Sequence, residues 1–447
     1  MAQKYKYLHF IDYILFQRWD VKAYAFQQKV FKNAVLLREI LTPYNVPLSK
    51  EKMIDKGWSI IAKINFAGEL FLRAPENTKT FKGNVHEIDG ETLIYSKINV
   101  RHGCVYYHPK DSIPFGVSSE YPAYKIDNKR VNGDFLVLLL QSQYFKNALS
   151  AGTSGISKAR VKPNVFLDIQ IPLPSLAEQN KIVAAYDATI AQAKQYSTQA
   201  KDIDKQIEKH LQDELGLLKT SVSKKQNIVG NFIKLVHLKD ITRWDIYNLQ
   251  NGDYNGKYNS QFLRDILIST PKYGAGYKAE KKHSDVRYIR ITDINEDGSL
   301  NDDFASVSQY DNQYLLKQND FLIARTGNTV GKTFLYDESM GKAIYAGYLI
   351  KFELNTEKVN PQYLLAYTKS SIYKQWIKSN MRISAQPNIN CKQYEESPII
   401  LPPLNIQNKI VEHITALRKK QKDLQQKSLT LRQQATQQFE QTIFSVI

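Results

Sequence analysis

A chain of 447 residues is long enough for two or three domains that each bury a core, and 61 Lys and Arg against 44 Asp and Glu leave a net charge of +17 that suits a polyanion. No run approaches the roughly 20 apolar residues of a spanning helix and no leader opens the sequence, so nucleic acid is the expected partner rather than a membrane. Two cysteines, Cys104 and Cys391, make no disulfide framework, and a reducing, cytoplasmic compartment is the expectation.

In chain order, Arg18-Trp19-Asp20 comes first, its Trp read either as a core aromatic beside an ion pair or as part of a docking surface. A region of mixed strand character follows, holding Ser96-Lys97 and Gly103. His102, Cys104 and His108 fall at alternate positions there, which would put zinc-ligand types on one side of a strand. Asn132 is a helix cap before the apolar run at 135–140. A polar loop at 152–164 leads to the turn Leu173-Pro174-Ser175-Leu176 and then to Gln179-Asn180-Lys181-Ile182-Val183. From there Ile182, Tyr186, Ile190, Ala193, Tyr196, Ala200, Ile203, Ile207, Leu211, Leu215 and Leu218 step by three or four, the seam of a coiled coil.

After a short polar linker the order starts again. Arg243-Trp244-Asp245 repeats the first motif at an offset of 225, and an offset of 228 superimposes the rest. Strand character returns at 287–291 and 320–325 around an Asn295-Glu296-Asp297-Gly298 turn. Ala324-Arg325 overlies Ser96-Lys97, Gly331 overlies Gly103, and Ser370 overlies Ser142. Asn360 caps a helix with Pro361 at its first position. A polar loop at 381–390 ends in Leu401-Pro402-Pro403-Leu404 and Gln407-Asn408-Lys409-Ile410-Val411. The second seam runs through Ile410, Ile414, Leu417, Leu424, Leu431, Ala435, Phe439 and Ile443, interrupted by the polar Gln421 and Ser428. The repeat has the period of a domain, and the duplication predicts two similar sites and approximate two-fold symmetry, suited to a partner with two half-sites.

Two long helices in one chain with a domain between them are expected to pair antiparallel, each about 40 residues and roughly 60 Å long at 1.5 Å per residue. They carry a net −1 at 175–219 and +4 at 405–447, so most of the +17 belongs to the globular regions, which are therefore the expected DNA-facing parts.

This order of variable domain, Leu-Pro-Pro-Leu-like turn, Gln-Asn-Lys-Ile-Val and long helix, given twice, resembles the DNA-specificity subunit of type I restriction-modification systems. Asp320-Phe321-Leu322-Ile323-Ala324-Arg325-Thr326-Gly327 is also similar to the Gly-Asp-Ile-Leu-x-x-Arg-x-Gly pattern of that family's target recognition domains. The first half departs from it at Lys97-Ile98-Asn99. Ser175 stands where the turn has its second proline, and Ile406 where the first half has Glu178. The resemblance implies an α+β fold, with target recognition domain 1 at 1–172 and target recognition domain 2 at 231–400. Spacer helices would occupy 173–219 and 401–447, with a linker at 220–230. It implies a non-catalytic subunit that binds a bipartite double-stranded DNA target, one half-site per domain, with the helices as a ruler. Two methyltransferase subunits and ATP-dependent restriction subunits would dock on it, so that S-adenosylmethionine, ATP and Mg are used by the partners and no cofactor by this chain.

Candidate DNA contacts come from the polar loops and the strand that ends in Arg-x-Gly: Lys97, Arg101, Lys158, Arg160 and Lys162, then Arg325, Lys332, Arg382, Gln386, Asn388 and Asn390. For each, a solvated surface role is the plain alternative. Other motifs fall short of chemistry. Gly327 to Lys332-Thr333 is one residue short of a phosphate-binding loop, because position 326 is Thr326, and Gly274-Ala275-Gly276 lacks the third glycine of a dinucleotide fingerprint. Val330, Lys332 and Tyr336, the duplicates of His102, Cys104 and His108, make no metal set, so none is expected. No Asn-Pro-Pro-Tyr or Asp-Pro-Pro-Tyr tetrapeptide of an adenine methyltransferase is present. The competing reading is a basic coiled-coil adaptor for RNA or an acidic protein.

Overall fold

The structure, a computed structural model, describes residues 31–217 and 256–444 apart from 32, 75–80, 152–159, 282–283 and 382–386. Both Arg-Trp-Asp segments lie outside the described residues. The chain forms two compact units, one running to Tyr196 and resuming at Gln426, the other Ser197–Gln425.

In the first unit an antiparallel sheet takes the order Leu41–Tyr44, Ala123–Ile126, Thr92–Tyr95, Val105–His108. The central strand Thr92–Tyr95 is buried along its whole length. Alternation sends Leu93 and Tyr95 into the core shared with the helices, and Ile94 into a second core with Phe115 and Cys104. The helices are α1 (Lys50–Asp55), α2 (Gly133–Gln141), α3 (Gln143–Ala151), α4 (Pro163–Leu167) and the long α5 (Leu176–Leu215). Asn132 caps α2 as expected, its side chain accepting from Phe135 N at 3.0 Å. The chain does not then run straight into the polar loop. Ser142 is buried, donates to Leu139 O at 2.6 Å and accepts from Phe145 N, which turns the backbone and starts α3.

The second unit repeats this build. Its sheet order is Lys272–Tyr273, Leu349–Phe352, Phe321–Ala324, Thr333–Leu335. Its helices are α6 (Pro361–Tyr367), α7 (Ser371–Asn380), α8 (Cys391–Glu395) and the long α9 (Leu404–Phe444). Asn360 and Ser370 cap α6 and α7 as Asn132 and Ser142 serve α2 and α3. The strands Ala34–Leu36 and Ser260–Phe262 pair with Gln170–Pro172 and Pro398–Ile400. These first strands sit 226 apart and their partners 228 apart, so two of the inserted residues lie between the edge strand and the main sheet.

The repeated Gln-Asn explains itself in three dimensions. Gln179, fully buried, accepts from Asn132 N at 2.8 Å and donates to Arg130 O and Pro174 O, while Asn180 accepts from the Asn132 side chain. Gln407 and Asn408 make the same bonds to Asn360, Lys358 and Pro402. One amide thus fastens the start of each long helix to the cap of α2 or α6. Replacing Gln407 with Leu strands the Asn360 N–H and two carbonyls and is expected to cost about 1–3 kcal/mol, read as a lower denaturant midpoint of the second unit. The two departures in the turn also go together. Ser175 and Glu178 form a capping box at the start of α5, Glu178 accepting from Ser175 N and Oγ at 2.9 and 2.7 Å, which also pulls the Glu178 carboxyl below its usual range. At the start of α9 Pro403 needs no such acceptor, so Ile406 costs no bond.

α5 and α9 pack antiparallel. In the first unit Ser428 Oγ donates to Ala193 O at 2.7 Å. In the second, Gln421 donates to Ala200 O at 2.9 Å and to Asp204, and Arg418 reaches both Gln421 and Asp204. The two polar interruptions of the seam are therefore buried cross-helix bonds opposite alanines, a device that specifies register. Each globular module is also held by the helix from the other half of the sequence. Glu440 accepts from Gln143 N at α3, and Glu208 from Ser371 N at α7, carboxylates at helix N-termini.

His210 and His413 stack across the helices of the second unit at 4.0 Å between ring centroids, and His210 Nε2 is buried without a partner among the described residues. Burial, then the His413 ring, pushes the His210 pKa down, against Glu214 and Asp213 which push it up. A histidine with a lowered folded pKa binds fewer protons folded than unfolded, so stability is full above about pH 6.5 and falls as pH drops through that value. The melting midpoint should therefore fall between pH 7.5 and 5.5, and His210→Leu should flatten that slope. An unchanged slope would assign the titration elsewhere.

Candidate nucleic-acid interface

At the end of each central strand the backbone is crossed by the segment that follows the polar loop. Lys97 N donates to Glu120 O at 3.1 Å and Lys97 O accepts from Val161 N at 2.8 Å. Arg325 N donates to Tyr348 O at 3.0 Å and Arg325 O accepts from Ile389 N at 3.0 Å. The pattern is identical at the 228 offset. It brings Lys97 beside Arg160 and Lys162, and Arg325 beside Asn388 and Asn390, although about 60 residues separate the members of each set.

The two sites are furnished differently. In the first, the exposed Arg160 pairs with the half-buried Glu120 at 3.1 Å, while the exposed Lys162 precedes α4 without a side-chain cap bond. In the second, the Arg325 guanidinium lies 4.8 Å from the centre of the Tyr273 ring, and Tyr273 is fastened by accepting from Cys391 N at 3.2 Å. Arg325 Nε, Thr326 Oγ1 and Asn388 Oδ1 are buried and have no partner among the described residues. Thr326 and Asn388 are bridged through their backbones, and Gly327 N donates to Pro387 O. Gly327 takes φ +68, a conformation that favours glycine, whereas Asn99 at the matching position has φ −114. The missing Arg-x-Gly of the first half thus reflects a turn that does not need it.

The remaining candidates are dispersed. Arg101 is half-buried in the 3-10 turn Val100–His102. Asn390, next to the crossing, is occupied locally, accepting from Gln393 N at 3.0 Å and capping α8. Lys332, whose carbonyl accepts from Ala324 N at 2.8 Å, pairs its ammonium with Glu296 at 2.9 Å. Lys158, Arg382 and Gln386 lie outside the described residues. His102 is not on a strand as its spacing suggested. It sits in the turn, exposed and packed on Phe66, while Cys104 is fully buried with its thiol pushed up to about 11 by burial. No group of three metal-binding side chains occurs among the described residues. No described helix is long and apolar enough to cross a membrane. Sequence reasoning missed Tyr273 and Tyr348, which are 43% and 55% exposed at the second site. Only the sheet pairing puts Tyr273 under Arg325.

Residues 255–431 match the family model described as the type I restriction modification DNA specificity domain. The StySPI specificity subunit of Salmonella potsdam is 22% identical over 301 residues, 65% of this chain and 59% of that protein. The EcoKI specificity subunit of Escherichia coli (strain K12) is 23% identical over 305 residues, again 65% and 59%. The chain thus spans about 59% of the length of these relatives. Among solved structures, a chain from work on complex assembly and conformational transition of the type I R-M system shares the fold, with a TM-score of 0.59 at 15% identity, covering 93% of this chain and 98% of that one. Motifs, repeat and matches agree in likening the chain to the type I restriction-modification specificity subunits, with residues 255–431 matching that family's DNA specificity domain.

Proposed function

We propose that this chain is a non-catalytic specificity subunit that reads a bipartite DNA target, each recognition module taking one half-site and the paired helices setting the unspecified gap. The observation that carries this is the doubled strand crossing, which puts Lys97 with Arg160 and Lys162, and Arg325 with Asn388, in equivalent places of two units. Different side chains on one backbone frame are what reading two different half-sites requires. Basic charge concentrated in the globular regions supports the phosphate contacts such binding needs. Methyltransferase subunits, and restriction subunits with their ATP, Mg and S-adenosylmethionine, are the proposed partners in the cytoplasm, and this chain would hold no cofactor.

Adenine-methylation mapping of genomic DNA, with and without this chain and with its methyltransferase present in both, tests the proposal. Loss of one split motif, modified on both strands across a fixed gap, is the expected result. An unchanged methylome with an active partner would overturn it.

A further inference from the structure

The segment from Gly327 to Thr333 misses the spacing of a phosphate-binding loop, yet the fold gives it the surroundings of one. A turn at Gly327–Thr329 and a positive φ of +83 at Gly331 bring Lys332 back toward α7. There a cavity of about 120 Å³ is lined by Lys332, Lys369, Lys374, Asn328, Tyr373 and Glu296 among others. That is room for several waters or one small tetrahedral anion.

Charge in the cavity is out of balance. Lys332 holds Glu296 at 2.9 Å, and Lys369 donates to Thr333 O at 2.9 Å. Lys374, exposed at the rim, has no ion pair among the described residues. Three ammonium groups thus line the cavity with one carboxylate, that of Glu296, while Asp297 acts on Lys369 from nearby. Burial pushes the Lys369 pKa down to about 8, and Lys374 and Lys332 add to this against Asp297 and Glu296. The Tyr373 hydroxyl, in a side chain 2% exposed, has no partner among the described residues. Burying this unpaired hydroxyl costs free energy that a bound acceptor would remove.

The first unit is an internal control. At the offset of 228, Lys332, Lys369 and Tyr373 are replaced by Cys104, Gln141 and Phe145, while Lys374 is kept as Lys146. Gln141 reaches the carbonyls of Ala67, Gly103 and Val105 at 3.3–3.4 Å and closes the same place with a neutral amide. The fold therefore does not require Lys332 and Lys369. We propose that the cavity between the Gly331 turn and α7 binds a single phosphate group, held by the ammonium groups of Lys332, Lys369 and Lys374 and by the Tyr373 hydroxyl.

The group could belong to the DNA backbone or to a free phosphate, and two measurements on the full chain separate them. The first is the melting midpoint in inorganic phosphate against chloride at matched ionic strength, for the native chain, Lys369→Gln and Tyr373→Phe. Both substitutions install the residue that the first unit already carries. The second is the salt dependence of DNA affinity for the native chain and Lys369→Gln. A rise in midpoint specific to phosphate and lost in both variants supports the site with free phosphate as a ligand, and does so whether or not the chain reads DNA. A log–log salt slope shallower by about one in Lys369→Gln supports the site and assigns it to the DNA backbone. Equal midpoints in the two salts together with an unchanged slope overturn the proposal.

Discussion

Lys351→Ala is expected to destabilise the second unit by about 3–5 kcal/mol, seen as an early unfolding transition in denaturant titration of the full chain. Lys351 is 4% exposed on the strand beside the central one, 3.3 Å from Asp320 and 2.8 Å from Glu353. Asp320 is itself buried and also accepts from Lys317 N at 2.8 Å. Burial already pushes the Asp320 pKa up, and the Lys351 bond pulls the Glu353 carboxyl down. Removing the ammonium would leave two carboxylates facing each other with little water, hence the large cost. The first unit shows that the pair is replaceable, because Asp320, Lys351 and Glu353 correspond to Thr92, Ala123 and Lys125. Asp320→Thr combined with Lys351→Ala should therefore recover much of the loss. A double variant no better than Lys351→Ala alone would show that the lysine stem, not the charge, carries the effect.

Arg325→Ala should weaken binding to the cognate DNA by about 10-fold to 100-fold, in the range of about 1–3 kcal/mol for a bidentate base contact, with relaxed choice confined to one half-site. The basis is the guanidinium set over Tyr273, with a buried Nε that has no partner among the described residues. Arg325→Lys keeps the charge and loses the fork, so it should recover affinity for unrelated DNA without recovering selection. Methylome mapping and binding to target variants read both quantities. An equal loss on every sequence would reduce Arg325 to a phosphate contact.

Much of this was legible in one dimension because repetition and periodicity are properties of the chain itself. The two seams, the caps Asn132 and Asn360, and the buried strand Phe321–Ala324 follow from spacing and residue type. The helix break at Ser142 was not legible, since a serine there is compatible with a continuing helix until its hydroxyl is seen to take Leu139 O. The misplacement of His102 has the same cause. Alternation was assumed across a turn that only the positive φ of Gly103, +92, makes possible.

Two like units, two helices with matching apolar seams and an excess of positive charge outside them are readable from the chain alone, because duplication, seam spacing and composition need no partner to be read. Tertiary structure alone decided what the repeated residues are for. Gln179 and Gln407 look like ordinary polar positions on a helix, yet each is fully buried against a cap 47 residues earlier. Arg325, Tyr273 and Asn388 become neighbours only when sheet pairing and the crossing at Ile389 bring them together, since hydrogen bonds between distant segments leave no periodic trace in the chain.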